Sequence, residues 1–347
     1  MTPVGFYRKS FDLAFAYLSK RPLYCSWQVT YRCNFRCSFC GYWKTANRRE
    51  EELTVSEFAL GARKLRRFGP MFISLAGGEP LIRKDLPEIV RVVSAYHFPF
   101  ITTNGWLAKP ETAKGLFQSG LMGAVVSLDF ADEKLHDQNR GREGAFRRAV
   151  DAVRYFVEAR TDKIQKVNVT AVLLKENVDQ IEKLVILAGK LGAEFTLQPY
   201  AHIKTNGQQD EVITDHAITR EVSGHLLGLK RKYPHFKSSR EYLRRYDEFF
   251  QGGIGGCQAG RLFFNIDDRG DIAKCVEDME NPVGNIKTIG IDQLRKALLQ
   301  KQIENLCQAC WYGCRGEVES FYTWNGVKNT LARIVSKDGN GNGSELR

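Results

Sequence analysis

The chain has 347 residues, 43% hydrophobic and 26% charged, enough for about two domains of an ordinary globular protein. It contains neither a run near the roughly 18 apolar residues of a membrane span nor an export signal, which with nine cysteines points to a cytoplasmic chain that ligates metal rather than forming disulfides. Net charge is +11, and residues 1–50 carry nine cations against Asp12 and Glu50 alone; this suits an acidic partner, while the lack of an RNA-binding motif or stacking platform argues against nucleic acid.

Residues 1–22 form the first unit. Its basic segment 6–20 puts Tyr7, Phe11, Ala14, Phe15 and Leu18 on one helical face. That face either packs against its own domain or rests on a membrane surface as a peripheral contact. Residues 23–200 then alternate strand and helix. Apolar runs predict strands at 26–30, 71–76, 99–103, 124–129, 167–173 and 194–199. Thr54-Val55-Ser56-Glu57 reads as a capping box opening a helix that ends near Gly69. Further helices are predicted at 85–97, 110–119, 144–160 and 177–191, the last capped by Gly192. Six strands with five crossover helices predict an α/β fold on a parallel sheet, but composition does not separate a doubly wound sheet from a barrel. Residues 201–252 read as a helical connector with helices at 215–233 and 239–250. Gly252-Gly253-Ile254-Gly255-Gly256 is a flexible break before a cysteine-rich domain at 253–325. The tail at 326–347 ends in a polar, glycine-rich stretch expected to be disordered.

The first predicted strand runs directly into Cys33-Asn34-Phe35-Arg36-Cys37-Ser38-Phe39-Cys40, a C-x3-C-x2-C spacing. Three thiolates this close on one loop can hold three irons of a [4Fe-4S] cube. With no fourth thiolate nearby, one iron keeps an open position for a small molecule. A zinc site would need a fourth ligand that the loop lacks. The run, including Phe39, resembles the signature of the radical S-adenosylmethionine (SAM) superfamily. The resemblance implies a partial (β/α)6 barrel, TIM-like in character. It also implies that the open iron chelates SAM, which an electron cleaves to methionine and a 5'-deoxyadenosyl radical that removes hydrogen from a substrate.

Gly77-Gly78-Glu79-Pro80, after the second strand, matches the family's GGEP motif, which contacts the methionine amino group. The glycines allow close approach of a ligand, and Glu79 could accept from its ammonium. Thr103 and Asn104 end the third strand, and Ser127 and Asp129 the fourth. The resemblance implies ribose- and carboxylate-contacting groups at such strand ends. Arg140, in His136-Asp137-Gln138-Asn139-Arg140-Gly141, resembles a segment common in the branch with auxiliary clusters. It is either a carboxylate clamp or a surface arginine. Asn168 and Gln198 on the fifth and sixth strands are either further SAM contacts or satisfied buried polar residues.

In the last third, 262–266 and 272–276 flank Asp267-Asp268-Arg269-Gly270, a hairpin that would return Cys275 towards Cys257. Cys307, Cys310 and Cys314 follow. The pattern resembles the twitch/SPASM modules that hold auxiliary [4Fe-4S] clusters. It implies one such cluster on Cys257, Cys275, Cys310 and either Cys307 or Cys314, with a zinc site as the alternative. Cys25 reads as a core thiol.

The radical SAM resemblance implies an acidic electron donor such as a flavodoxin or ferredoxin. Its first reading is hydrogen abstraction from a small molecule or lipid-like compound, by dehydrogenation or other C–H functionalisation. The alternatives are maturation of a ribosomally made peptide and a non-enzymatic iron–sulfur electron-transfer or scaffold protein. Peptide maturases often carry an N-terminal recognition domain, and only 32 residues precede Cys33, so that domain is not expected in this chain.

Overall fold

The computed structural model of the chain describes residues 3–44, 52–201 and 216–323. Six parallel strands run in chain order: β1 (Tyr24–Thr30), β2 (Phe72–Gly77), β3 (Phe98–Thr103), β4 (Gly123–Ser127), β5 (Lys166–Leu173) and β6 (Glu194–Pro199). Helices α2 (Val55–Leu65), α3 (Leu86–Ser94), α4 (Pro110–Gln118), α6 (Ala145–Ala159) and α7 (Ile181–Lys190) make the crossovers, as predicted. α5 (Glu133–Arg140) is an extra helix on the segment read only as a motif. This is the partial barrel that the resemblance implies.

The alternation along the strands explains the layers. On β5, Val167, Val169, Ala171 and Leu173 are buried with Val153 and Phe156 of α6 and Leu184 and Val185 of α7. Asn168, Thr170 and Val172 are half-buried on the other, concave face. Side chains two apart share a face because the strand's period is two. α2 begins as read: Glu57 N–H donates to Thr54 Oγ1 at 3.4 Å and Thr54 N–H to the Glu57 carboxylate at 2.8 Å. The open edge at β6 is blunted by residues beyond α8 (His216–Lys232): Phe195 N–H donates to His235 O and Lys237 N–H to Phe195 O.

At the other edge the sheet continues through the expected domain boundary. β7 (Phe263–Ile266) pairs parallel with β1, Trp27 against Ile266. β8 (Asp271–Ala273) and the short β9 (Gly284–Asn285) follow antiparallel. β7, the Asp267–Gly270 turn and β8 form the predicted hairpin. Its turn is held by Asp267 Oδ1, which accepts from Arg269 N–H and Asp271 N–H. The helix expected at 239–250 is two, α9 (Arg240–Arg244) and α10 (Tyr246–Gly252), and α11 (Ile291–Ile303) and α12 (Gly313–Ser320) complete the tail region. The predicted disordered end at 326–347 lies outside the described residues, as does most of the first part of the connector, 202–215.

Helix α1 (Pro3–Leu18) crosses the N-terminal ends of the strands. Lys9 Nζ donates to Ser94 O and His97 O just before β3, and Ala16 meets Gly69 just before β2. α12 ties the tail to α9 through Glu317, which accepts from Ser239 N–H at 2.9 Å. Desolvation pushes the Glu317 carboxyl up to about 7. The folded chain therefore holds this proton where the unfolded chain has lost it, so stability falls as pH rises from about 4.5 to about 7. In urea titrations across that window, Glu317→Gln should flatten the decline; an unchanged slope would assign it to other groups.

Candidate active site and cluster-binding loops

The cysteine loop leaves β1 at its C-terminal end, where ligand sites gather in parallel α/β folds. Backbone hydrogen bonds pin it to β2: Gly78 N–H to Thr30 O at 2.8 Å and Glu79 N–H to Arg32 O at 2.9 Å. A Cβ on Gly77 would collide with the Thr30 carbonyl, and one on Gly78 with that of Arg32. The paired glycines are thus required by the cysteine loop's own approach, a reason the sequence reading placed on a ligand instead. From the far side, Asn104 Nδ2 donates to Asn34 Oδ1 and Arg142 Nη1 to Asn34 O, both at 2.8 Å.

Cys33, Cys37 and Cys40 sit in one apolar enclosure with Phe35, Phe39, Phe130, Leu174 and Tyr200. Burial pushes the Cys37 thiol up to about 11, and the nearby Arg140 partly offsets it. Cys33 is likewise raised by burial. Binding a metal cluster here must release those protons.

Glu79 is built into the fold. It is fully buried, and its carboxylate accepts from Thr103 Oγ1 and Asn104 N–H at 2.7 Å and from Leu81 N–H at 3.0 Å. Burial raises its pKa against the pull of these donors. Glu79 therefore locks the ends of β2 and β3 together beneath the cysteine loop. Glu79→Gln turns an amide N–H₂ towards one of these donors. It should cost about 1–3 kcal/mol of stability in urea denaturation; a residue serving only as a ligand contact would leave stability unchanged.

The segment 136–141 resolves residue by residue. Burial, and then Arg140, keep His136 neutral, and its Nδ1 accepts from Asp129 N–H at 3.2 Å. Asp137 caps α6, accepting from Gly144 N–H and Phe146 N–H. Asn139 Nδ2 and Arg140 reach Asp129 Oδ2 at 3.1 and 2.7 Å, and Asn139 O accepts from Ser38 N–H of the cysteine loop. Gly141 adopts a left-handed φ of 65° and leaves no room for a Cβ beside Arg36 O. Asp129 is also held by Val172 N–H, so it braces the fold. Arg140 is buried rather than a surface residue. It lies 5.2 Å from the Phe39 ring centroid, and its Nε is buried with no hydrogen-bond partner among the described residues. That orphan donor beside the thiols fits an anionic ligand.

Of the remaining candidates, Ser127 ends β4, and Gln198 lies one residue from the end of β6, both half-buried on the concave face. Asn168 pairs with Val125, two residues below Ser127, and donates to Thr196 Oγ1 at 2.5 Å with its Oδ1 buried and unpartnered among the described residues. Pro80 is buried and starts a helical turn.

In the tail, Cys257, Cys275, Cys307 and Cys310 approach one another. Burial pushes Cys275 to about 12 and Cys310 to about 11; Cys275 also feels Cys310 and Cys257, and Cys310 feels Cys257 and Cys307. Cys314, four residues after Cys310, also acts on Tyr24, Tyr42 and Tyr242. The sequence reading missed Arg315. It is fully buried and donates to Ile254 O, Gly255 O and Cys310 O, and to Glu319 at 3.2 Å, while Glu319 accepts from Gln258 N–H. One cation thus holds both cysteine-bearing loops; an arginine directly after a cysteine was the available signal. No three of His, Cys, Asp and Glu among the described residues converge enough to share one metal ion. All nine cysteines are free of disulfides.

A three-thiol loop at the head of β1, braced by a Gly-Gly-Glu turn in a partial barrel, defines a radical SAM site. Residues 27–188 match the radical SAM superfamily model, so this part of the chain is a radical SAM domain, a fold that takes a [4Fe-4S] cluster and SAM. It is 27% identical over 317 residues to the mycofactocin maturase MftC of Mycolicibacterium smegmatis, covering 85% of this chain and 77% of that one. Among solved structures, SuiB of Streptococcus suis superposes with a TM-score of 0.63 at 22% identity, over 80% of this chain and 66% of SuiB. A second structure of SuiB is bound to the precursor peptide SuiA. AdoMet-bound anSMEcpe superposes with a TM-score of 0.64 at 13% identity, over 92% of this chain and all of that one. No described helix is long and apolar enough to cross a membrane.

Proposed function

We propose that the chain is a peptide-modifying radical SAM enzyme with an auxiliary [4Fe-4S] cluster. The observation that carries this is the alignment with the MftC maturase, which spans 85% of the chain and so takes in barrel and tail together. The SuiB fold holding a precursor peptide supports it. The small-molecule or lipid-like substrate expected first gives way to the peptide reading.

Cys33, Cys37 and Cys40 hold the SAM cluster, which when bound supplies the electron that cleaves SAM. The apolar enclosure around them keeps water away. Arg140, fixed by Asp129, offers its free Nε–H to the SAM carboxylate or to a thiolate. Thr103, Asn104, Ser127 and Gln198 place polar groups at the strand ends, and the Gly77–Gly78 backbone sets the loop they surround. Asn168 lies deeper on the concave face and lines its floor. Cys257, Cys275, Cys310 and either Cys307 or Cys314 hold the auxiliary cluster. An acidic flavodoxin or ferredoxin supplies the electron.

The test uses the reconstituted, reduced enzyme with SAM and a host-cell extract fraction, half of it protease-treated. The expected result is a rise in 5'-deoxyadenosine that protease treatment removes. A rise that survives protease would return the substrate to the small-molecule class.

A further inference from the structure

We propose that the end of the barrel opposite the cysteine loop docks on an anionic lipid bilayer through the outer face of α1. The inner face of α1 is firmly seated. Lys9 donates to two carbonyls at the end of α3, Leu13, Ala16 and Tyr17 share an apolar cluster with Cys257 and Phe263, and Tyr17 stacks on Tyr322 at 4.7 Å. The apolar face read from the sequence therefore does not pack inward. Phe11 is 78% exposed, Phe15 55% and Leu18 71%, at i, i+4 and i+7 on a helix that is held in place. Tyr7, read on the same face, lies outside the residues whose side chains are described.

Cations lie beside Phe15 and around the hollow next to it. Phe15, Arg21 and Arg67 line one hollow, and Lys20, Arg21, Arg261 and Arg295 line the next, together with Ile303, which is 73% exposed. The Arg21 guanidinium lies 5.1 Å from the Phe15 ring centroid. The acids nearby include Asp12, on the first hollow, Asp292, paired with Arg67 at 3.5 Å, and Glu304, exposed next to Ile303 and accepting from Gln300. Protruding aromatic and aliphatic side chains amid long cations match an interfacial helix, whose rings enter the acyl boundary while the cations reach anionic headgroups. Docked in this way, the catalytic end faces away from the bilayer, open to a substrate from water.

The test is co-sedimentation of the full-length, anaerobically reconstituted protein with vesicles of phosphatidylcholine alone and of equal parts phosphatidylcholine and phosphatidylglycerol. Binding is expected to the second only and to weaken with salt. Lys20→Glu/Arg67→Glu should lower partitioning by at least about thirtyfold, counting roughly 1 kcal/mol for each cation lost. Phe11→Ser/Leu18→Ser should lower it with charge unchanged. Arg147→Glu/Arg154→Glu, exposed on α6, controls for the overall basic charge and should bind nearly as wild type. All three variants should form 5'-deoxyadenosine in solution at the wild-type rate. Failure of the wild type to bind anionic vesicles, or equal loss in the α6 control, overturns the proposal. A wild-type dimer that Phe11→Ser/Leu18→Ser converts to monomer in analytical ultracentrifugation would give the face to a second copy instead.

Discussion

Replacing Cys33, Cys37 and Cys40 together with alanine is expected to abolish reductive formation of 5'-deoxyadenosine and to halve the iron content. The wild type, with two cubes, should hold about eight irons per chain after anaerobic reconstitution, and the triple variant about four. The tail thiols are carried on separate loops, braced by Arg315 rather than by the barrel's Gly-Gly-Glu turn, so their cluster should survive the loss. Persistent SAM cleavage would remove the role assigned to the loop. A variant holding no iron but one tightly bound zinc would make the tail a zinc module.

The second large effect is expected at Arg315. Arg315→Ala strips one buried cation from three carbonyls and from Glu319. Breaking a buried ion pair by removing one partner typically costs about 3–5 kcal/mol. Here the loss falls on the loops that carry Cys257 and Cys310, so the iron content should drop to about four while SAM cleavage without substrate continues. Arg315→Lys keeps the charge but not the planar fork that spans several acceptors, and should fall between. Full iron retention in Arg315→Ala would show that the cysteine loops hold themselves.

The barrel was legible because each of its strands carries a short apolar run and each crossover a helical stripe. β6 was read at its observed bounds, and the others within two residues. The cysteine loop was legible because ligation fixes its spacing. What escaped was set by tertiary contact. The pairing of β7 with β1 joins residues over 200 positions apart, and nothing local to Phe263–Ile266 announces it. The bracing roles of Glu79 and Asp129 escaped because sequence shows a carboxylate at a strand end but not the donors around it. α5 was hidden in a largely polar segment whose His136, Asp137, Asn139 and Arg140 bond to the fold. Phe11, Phe15 and Leu18 of the α1 face read from the sequence do share an exposed side, but only the structure shows that Lys9, Ala16 and Tyr17 seat the helix and turn them outward.

The central claim is that the Cys33–Cys37–Cys40 loop leaves one iron open to SAM while the tail thiols close theirs. Electron paramagnetic resonance of the dithionite-reduced protein, with and without SAM, tests it most directly. Wild type should show two [4Fe-4S] signals, of which SAM shifts one. The triple alanine variant should show a single signal that SAM leaves unchanged. A wild-type spectrum indifferent to saturating SAM, or a SAM-sensitive signal in the triple variant, would contradict the account.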